Sequence, residues 1–507
     1  MTKKTDPEAP IESAVPFHPC SNGEYLPLLP TARAQKAEQI WRQLVEEKHR
    51  RLGMSRRQFA ESACGLATSL LVINQLACDE TARSSGGVDS GQSDGTGGFS
   101  SGGSGGRSPT GGSPDAYYDV SPDMMEDAAC AQERLYAPDE FVLDVQTHAA
   151  TPLDAWPDRA PSEVALDFIK QIFVQGGTSV ACISGIPAAR DLGVDNVIAR
   201  TQLREILQRI GGDRLRIHAN VAFQGNVAAE LEYMEKLDSS YDIGAWKVYP
   251  YDKPWLANQE QGLAFAEKAR SLGVTVIAAH RGIAGNGDYF HAGSPRDLVE
   301  AARQNPDLKY LCYHSGWEGG SREDHPYDEN ATAQQTFGID RLVRATSEFQ
   351  IPRNTGNVYA ELGSTWHNLR ARPEEAAHAL GKLLLAVGED RILFGTDSVF
   401  NGVPSGQIAA LRAFQIPETL RQRYGYPEIT PEIRRKILGL NAAPLYGVDP
   451  TKPRCEFGDD EVNALKLAWQ HDPRSVPMPH PHRYIGPRTR REFLAFVRNE
   501  RRQNTPT

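Results

Sequence analysis

The 507-residue chain is long enough for two or three average domains, or for one large α/β domain with extensions. Hydrophobic residues at 40% and charged residues at 24% are typical of a globular protein. The net charge of −10 argues against nucleic acid as a partner, because phosphate binding relies on clustered Lys and Arg. The seven cysteines contain no C-x-x-C pair, which argues against a zinc ribbon.

The chain begins with a polar region that we assign to residues 1–53. Within it, Ala32–Leu52 combines helix-forming residues with an amphipathic distribution and is predicted to be a helix. The amino-acid composition changes from Met54 onward, where a basic pair is followed by an apolar run.

Residues 54–80 have the layout of an export signal. The segment Ser55-Arg56-Arg57-Gln58-Phe59 precedes the apolar run Ala63 to Ala77, and this arrangement resembles the twin-arginine signal of bacteria. The run is shorter than the roughly 20 residues of a transmembrane helix. The resemblance implies the Tat export machinery as a partner and a location in the periplasm or cell envelope. The alternative is a buried helix that carries a chance Arg pair.

Cys78 adds an alternative for the mature N-terminus. It follows Leu76-Ala77, which resembles a lipoprotein cleavage box, although Gln75 departs from the aliphatic residue expected there. A membrane tether through Cys78 therefore stands beside simple cleavage near Ala77.

Residues 81–135 are predicted to form a disordered linker. Ser84 to Pro114 is dominated by Gly and Ser and lacks the apolar side chains that offset the entropy of ordering. The composition shift that follows marks a domain boundary.

Residues 136–450 alternate between strand-like and helix-like segments. Eight apolar runs are predicted strands: Phe141–Val145, Ser179–Ile183, Leu215–Val221, Ala245–Val248, Val274–Ala278, Tyr310–Tyr313, Val358–Leu362 and Ile392–Phe394. The predicted helices are Pro161–Gln175, Asn196–Ile210, Ala228–Leu237, Gln259–Ser271, Pro295–Gln304, Ile339–Glu348, Glu374–Val387 and Pro431–Leu440. Eight successive β/α units favour a closed (β/α)₈ TIM barrel over an open sheet. Residues 451–507 are predicted to be a C-terminal extension that wraps the barrel, with a last helix near Arg488–Arg501.

Polar side chains follow four of the predicted strands. His148, His280 and His314 come after strands one, five and six, and Asp397 comes after strand eight. Barrel active sites collect at the C-terminal ends of strands, so these side chains are predicted to share one rim. One such His would more often be a hydrogen-bonded core residue, but imidazole and carboxylate together suit Zn, Mn or Fe. The convergence therefore predicts a metal site.

This order of residues resembles the amidohydrolase superfamily. Ile277–Gly282 is similar to its strand-five motif, Leu393–Ser398 to its strand-eight motif, and Asn441–Gly447 to the segment that closes its last helix. The local sequences of these motifs are similar to those of the amidohydrolase-related branch, amidohydrolase family 2. This branch contains metal-dependent hydrolases and aromatic-acid decarboxylases. The resemblance covers about residues 140–450.

The resemblance implies roles for individual residues. His148 and His280 would bind the metal, Asp397 would bind it and move protons, and His314 would polarise the substrate or act as a second acid/base. Hydrolytic members commonly begin with His-x-His, whereas this chain has Gln146 at the first position. Residues two apart on a strand face the same side, so Gln146 is predicted to be a weaker, neutral ligand.

One divalent metal ion is expected, with Zn preferred over Mn or Fe. Gln146 disfavours a two-metal site, so Lys247, which stands where two-metal relatives carry a carboxylated lysine, is assigned to the pocket instead. The predicted substrate pocket consists of side chains at or just beyond the same strand ends: Lys247, Glu361, Trp317, Tyr249 and Arg281.

Three functions remain open at this point. The first is hydrolysis of an ester, lactone or amide by metal-activated water, with Asp397 as proton acceptor. The second is non-oxidative decarboxylation of an aromatic or related acid, which Gln146 favours because some decarboxylases of the branch place Glu there. The third is a non-catalytic envelope binding protein on the same barrel. The first two require a small-molecule substrate, and self-association as a homo-oligomer also stays open.

Overall fold

The computed structural model describes residues 11–84, 113–137, 140–149, 161–185, 214–223, 225–250, 254–283, 293–451, 461–471 and 486–503. Eight parallel strands pair in sequence order. They are β1 Leu143–Thr147, β2 Val180–Ser184, β3 Leu215–Val221, β4 Ile243–Val248, β5 Val276–His280, β6 Lys309–Tyr313, β7 Val358–Glu361 and β8 Ile392–Leu393. All eight lie close to their predicted bounds.

The sheet closes on itself between its first and last strands. The amide of Val145 donates to the carbonyl oxygen of Phe394 over 3.0 Å, and Thr147 forms a parallel bridge with Ser398. The Asp144 carboxylate strengthens this seam, because it accepts hydrogen bonds from the Thr396 amide and hydroxyl at 3.1 and 2.5 Å. The predicted (β/α)₈ TIM barrel is therefore confirmed.

The helices surround the barrel and extend beyond it. Those before β1 are α1 Ala32–Arg51, α2 Arg56–Ala60, α3 Ala63–Ser84 and α4 Ala128–Leu135. Those between and after the strands are α5 Pro161–Ile169, α6 Val227–Ser240, α7 Gln261–Ser271, α8 Arg296–Gln304, α9 Ile339–Glu348, α10 Gly363–Leu369, α11 Pro373–Ala386, α12 Ser405–Ala413, α13 Glu418–Tyr424 and α14 Pro431–Arg435. Helices α5 and α14 continue as π-helical turns, Lys170–Gln175 and Lys436–Leu440. The predicted helix Asn196–Ile210 lies outside the described residues.

Helix α3 contains the apolar run of the predicted export signal, and it is buried. Leu66 and Leu70 are both 0% exposed and belong to the same hydrophobic cluster as the barrel helices. The helix packs against α1, α4 and α11. This position agrees with the buried-helix alternative, while export itself stays a prediction. Within the described ranges, no helix is both long and apolar enough to cross a membrane.

The arginine pair before that helix also has a structural explanation. Ser55 caps α2 as a capping box, since its hydroxyl accepts from the Gln58 amide at 3.2 Å while the Gln58 side chain accepts from the Ser55 amide at 2.9 Å. Arg56 forms an ion pair with Glu46 over 2.8 Å, and Phe59 is fully buried. The motif thus fits a helix start inside a folded domain.

The predicted linker extends too far at its C-terminal end. Within residues 113–137, Pro122–Met125 forms a 3₁₀ turn and Ala128–Leu135 forms α4. The buried Tyr118 donates its hydroxyl to the Arg370 carbonyl and accepts a hydrogen bond from Asn74 at its own carbonyl, 2.8 Å away. This stretch orders because it supplies the apolar side chains that the Gly/Ser tract lacks. Residues 85–112 lie outside the described part of the chain.

The C-terminal extension adds two helices, α15 Glu461–His471 and α16 Arg490–Gln503. Helix α15 packs on the π-helical turn that follows α5. Ahead of α16, the carbonyl oxygen of Pro487 accepts a hydrogen bond from the Ser21 amide over 3.0 Å. The described parts of the extension therefore contact both the barrel and the N-terminal segment.

Candidate active site

His148 and Asp397 meet where the first and last strands end. The Nε2 atom of His148 lies 3.0 Å from Oδ1 of Asp397, and its Nδ1 lies 3.0 Å from the carbonyl oxygen of Ser184. Because a carbonyl only accepts, Nδ1 donates to Ser184, and Nε2 faces the carboxylate of Asp397. A histidine that donates one N–H to a backbone carbonyl and turns its other nitrogen inward is the arrangement found around bound metals.

Asp397 is held by four hydrogen-bond donors. Its Oδ1 accepts from Gln146 Nε2 at 3.1 Å and faces His148, while its Oδ2 accepts from Ser364 at 2.5 Å and from Asn22 at 2.9 Å. Burial alone would raise the pKa of this carboxyl, but the hydrogen bond and charge of His148 together with the Ser364 hydroxyl bring the pKa below its usual range. Asp397 is therefore an anion at neutral pH.

A second group of ligand-type atoms lies beside the first. Glu24, His280 and His314 each offer one atom, and the three atoms lie within 4.8 Å of one another. The rings of His280 and His314 meet edge to face with centroids 4.6 Å apart. Burial lowers the pKa of His314 to about 3 and holds that of His280 well below its usual value. Both rings are thus neutral, the form that binds metals.

Glu24 was not predicted from the sequence. It lies in the N-terminal segment, far from every barrel motif, and no spacing connects it with them. Gln146, a neutral residue where hydrolytic members commonly carry His, is the sequence feature that leaves a place for a further ligand-type group.

Glu361 on β7 fixes the backbone of His314. Its Oε2 accepts from the His314 amide at 2.9 Å, and its Oε1 accepts from the Gly363 amide at 2.5 Å. His314 has φ 61°, and Asp397 has φ 58°. Non-glycine residues seldom adopt this left-handed conformation, and those that do cluster at functional sites. Glu361, predicted as a pocket residue, therefore acts on the site by positioning.

We expect Glu361→Gln to lower kcat by about 10- to 100-fold, the usual effect of removing a partner of a ligand. The amide can accept at one position only, so either His314 or Gly363 loses its hydrogen bond. Steady-state kinetics test this, with circular dichroism to check folding. A variant with wild-type kcat would show that the His314 backbone needs no such support.

Lys247 and Tyr249 line the interior next to His280. In the described structure the Lys247 Nζ has no hydrogen-bond partner, and it lies 3.3 Å from the ring centroid of Tyr313 and 4.6 Å from that of Tyr249. Burial lowers the pKa of Lys247 to about 7. The Tyr249 ring stacks on His280 at 5.2 Å. Lys247 is thus a buried amine that an acidic group could bind.

Two predicted pocket residues have other partners. The buried Arg281 guanidinium donates from Nη2 to both oxygens of the Asp297 carboxylate, at 2.6 and 2.8 Å, and from Nη1 to the carbonyl oxygen of His280 at 3.1 Å. Trp317 is fully buried, and its ring packs edge-on against Tyr25 at 5.6 Å. The structure therefore brings neither side chain into the cluster of His, Asp and Glu.

The site fits a divalent cation. Both ring nitrogens of the buried His314 lack a hydrogen-bond partner among the described atoms, as does Oε1 of Gln146. Leaving buried polar atoms unpaired costs free energy, so such atoms call for an additional partner. Neutral imidazoles beside carboxylates form the donor set that Zn, Mn and Fe accept.

The sequence profile of the family described as Amidohydrolase matches residues 203–448. No curated protein matches the chain.

Several solved structures are similar in fold, each covering 61% of this chain. They include 5-carboxyvanillate decarboxylase from Sphingomonas paucimobilis, with 11% identity over 99% of that chain and a TM-score of 0.38. A dihydroxybenzoic acid decarboxylase from Polaromonas sp. JS666, with bound manganese, has 15% identity over 97% of that chain and a TM-score of 0.39. A putative 2-pyrone-4,6-dicarboxylic acid hydrolase from Pseudomonas putida has 17% identity over 97% of that chain and a TM-score of 0.36.

Proposed function

We propose that the chain is a member of the amidohydrolase superfamily, which the profile match over residues 203–448 supports, and that it is a divalent-metal-dependent hydrolase that attacks an ester, lactone or amide bond with water. One observation carries this proposal. The Asp397 carboxylate is held as an anion by four donors, so it enters the reaction as a base and has no proton to give. Hydrolysis requires such a base, because the attacking water must lose a proton.

Different residues of this chain would bind the metal, transfer the proton and stabilise the developing negative charge. His148, His280 and Asp397 would hold the ion, with Gln146 beside them. The ion would supply Lewis acidity toward water and a substrate carbonyl. Asp397 would take the proton from water and pass it to the leaving group. His314, neutral and without a hydrogen-bond partner among the described atoms, can donate its one N–H to the oxygen on which negative charge develops.

Decarboxylation of an aromatic or related acid is the second candidate, and Lys247 favours it. A buried amine over two tyrosine rings would pair with a substrate carboxylate and give it a flat, apolar surface. In this reaction Asp397 would have to carry its proton before the substrate reacts, whereas its four donors hold it as an anion in the free site.

Product analysis in ¹⁸O-labelled water separates the two reactions. Purified protein supplied with Zn²⁺ or Mn²⁺ is offered esters, lactones, amides and hydroxybenzoates. Hydrolysis places solvent oxygen in the product acid without release of carbon dioxide. Decarboxylation releases carbon dioxide and leaves no solvent oxygen in the aromatic product, which would contradict the leading proposal.

A further inference from the structure

We propose that Glu24, in the N-terminal segment outside the barrel, is a metal ligand of this site. It would supply the anionic ligand that Gln146 cannot. The inference rests on the metal centre of the proposed function and adds a residue that the barrel motifs do not contain.

The segment that carries Glu24 is folded as a tight turn. The Ser21 hydroxyl accepts from the Gly23 amide at 3.0 Å, and the Asn22 side-chain oxygen accepts from the Glu24 amide at 3.0 Å. Ser21 and Asn22 are buried, whereas the Glu24 side chain keeps 24% exposure. The turn thus places one carboxylate at the mouth of the barrel in a fixed backbone conformation.

The barrel is shaped to receive this turn. The Tyr25 ring packs on Trp317, and its hydroxyl accepts a hydrogen bond from Asn368 at 2.8 Å. A Cβ added to Gly319 would lie 2.6 Å from Cβ of Tyr25, and one added to Gly406 would lie 2.6 Å from the Ala14 carbonyl oxygen. Since only glycine permits this close approach, the segment lies in a fitted groove.

Asn22 connects the turn to the catalytic carboxylate. Its Nδ2 donates to Asp397 at 2.9 Å and to Oε2 of Glu24 at 2.7 Å. One amide therefore sets the distance between the anion of the last barrel strand and the anion of the N-terminal turn. Asn22 therefore connects the two groups of ligand-type atoms by hydrogen bonds.

The distances suit coordination by Glu24. Its Oε1 lies 3.8 Å from Nδ1 of His280, while Nε2 of His280 is occupied by the Ile283 carbonyl at 2.7 Å. Two ligands that are each about 2.1 Å from one ion lie about 3–4 Å apart. His314 completes the group within 4.8 Å, and its ring is fully buried with neither nitrogen hydrogen-bonded in the described structure. Gln146 instead points its amide nitrogen at Asp397.

Metal binding by the full-length chain tests the inference directly. Wild type, Glu24→Gln and the control Glu38→Gln are stripped with a chelator, and Mn²⁺ and Zn²⁺ binding is then measured by calorimetry and elemental analysis. Glu38 is a half-exposed residue of α1 that pairs with Arg42. We expect at least about tenfold weaker binding for Glu24→Gln and no change for the control. Glu24→Asp, which keeps the charge with a shorter reach, should fall between them.

The result is separable from the proposed reaction. Wild-type affinity and stoichiometry in Glu24→Gln would overturn the assignment of Glu24, while leaving hydrolysis through Asp397 untouched. Conversely, metal loss in Glu24→Gln supports the ligand whichever reaction the product analysis reveals. Thermal unfolding of the metal-free variants checks that the N-terminal turn stays seated.

Discussion

Replacing Asp397 with Asn is expected to lower kcat by about 10³-fold or more while the barrel remains folded, because general-base catalysis alone contributes about 10²–10⁴-fold. The amide keeps the size of the carboxylate but cannot accept a proton. The new amide NH₂ group is itself a donor, and it would face at least one of the groups that now donate to the carboxylate: Gln146, Ser364 or Asn22. The measurement is kcat at saturating substrate with metal in excess.

His280→Ala is the companion variant, and the pair distinguishes chemistry from metal binding. Removing His280 takes a ligand-type nitrogen from the group with Glu24 and His314, so both metal content and activity should fall. Asp397→Asn should lose activity even where excess metal restores occupancy. Full activity in both variants would eliminate the hydrolytic scheme.

A matched control comes from the barrel itself. His218 is also a buried histidine on a strand, but its ring is hydrogen-bonded to the hydroxyls of Tyr313 and Tyr446 at 2.7 and 2.9 Å. These contacts occupy both of its ring nitrogens. We expect His218→Gln to change stability more than it changes metal content, the reverse of His280→Ala.

Much of the fold and part of the site could be predicted from the sequence. Strand periodicity located all eight strands, and the rule that barrel sites collect at strand ends singled out His148, His280, His314 and Asp397. The local sequence pattern carries that information because each of these residues lies at the end of its own strand or within four positions after it. The contact between His148 and Asp397 then follows from barrel closure.

Glu24 and Asn22 could not be found in this way. The bond from Asn22 to Asp397 joins residues 375 positions apart, and no periodicity or motif records such a pairing. It depends on a groove whose shape is set by glycines in other elements, Gly319 and Gly406. Tertiary packing of this kind becomes visible only in three dimensions.

The N-terminal helices were ambiguous for a different reason. An export signal and a buried helix both need a short apolar run, and an arginine pair fits a signal as well as it fits an exposed helix start. Composition cannot separate them, because the same side chains satisfy both requirements. Burial of Leu66 and Leu70 against the barrel helices is the observation that distinguishes a helix used in the core.

Leu70→Ala should therefore lower the free energy of unfolding by about 2–5 kcal/mol, the usual cost of deleting a buried leucine side chain from a packed core. Leu70 is 0% exposed in the cluster that includes the barrel helices, whereas its neighbour Leu71 is only partly buried. Leu71→Ala, the control, should cost clearly less. Urea denaturation of the three full-length proteins gives the comparison.

Equal stability of Leu70→Ala and wild type would show that α3 adds nothing to the folded domain and would restore its interpretation as a removable signal. The intact mass of the chain taken from its native cells addresses the same point independently. Cleavage near Ala77 would remove α1 and α2 together with Asn22 and Glu24, so a processed protein would lack the turn that contacts Asp397. Retention of α3 and coordination by Glu24 therefore require the same N-terminus, and a mature chain beginning after Ala77 would contradict both.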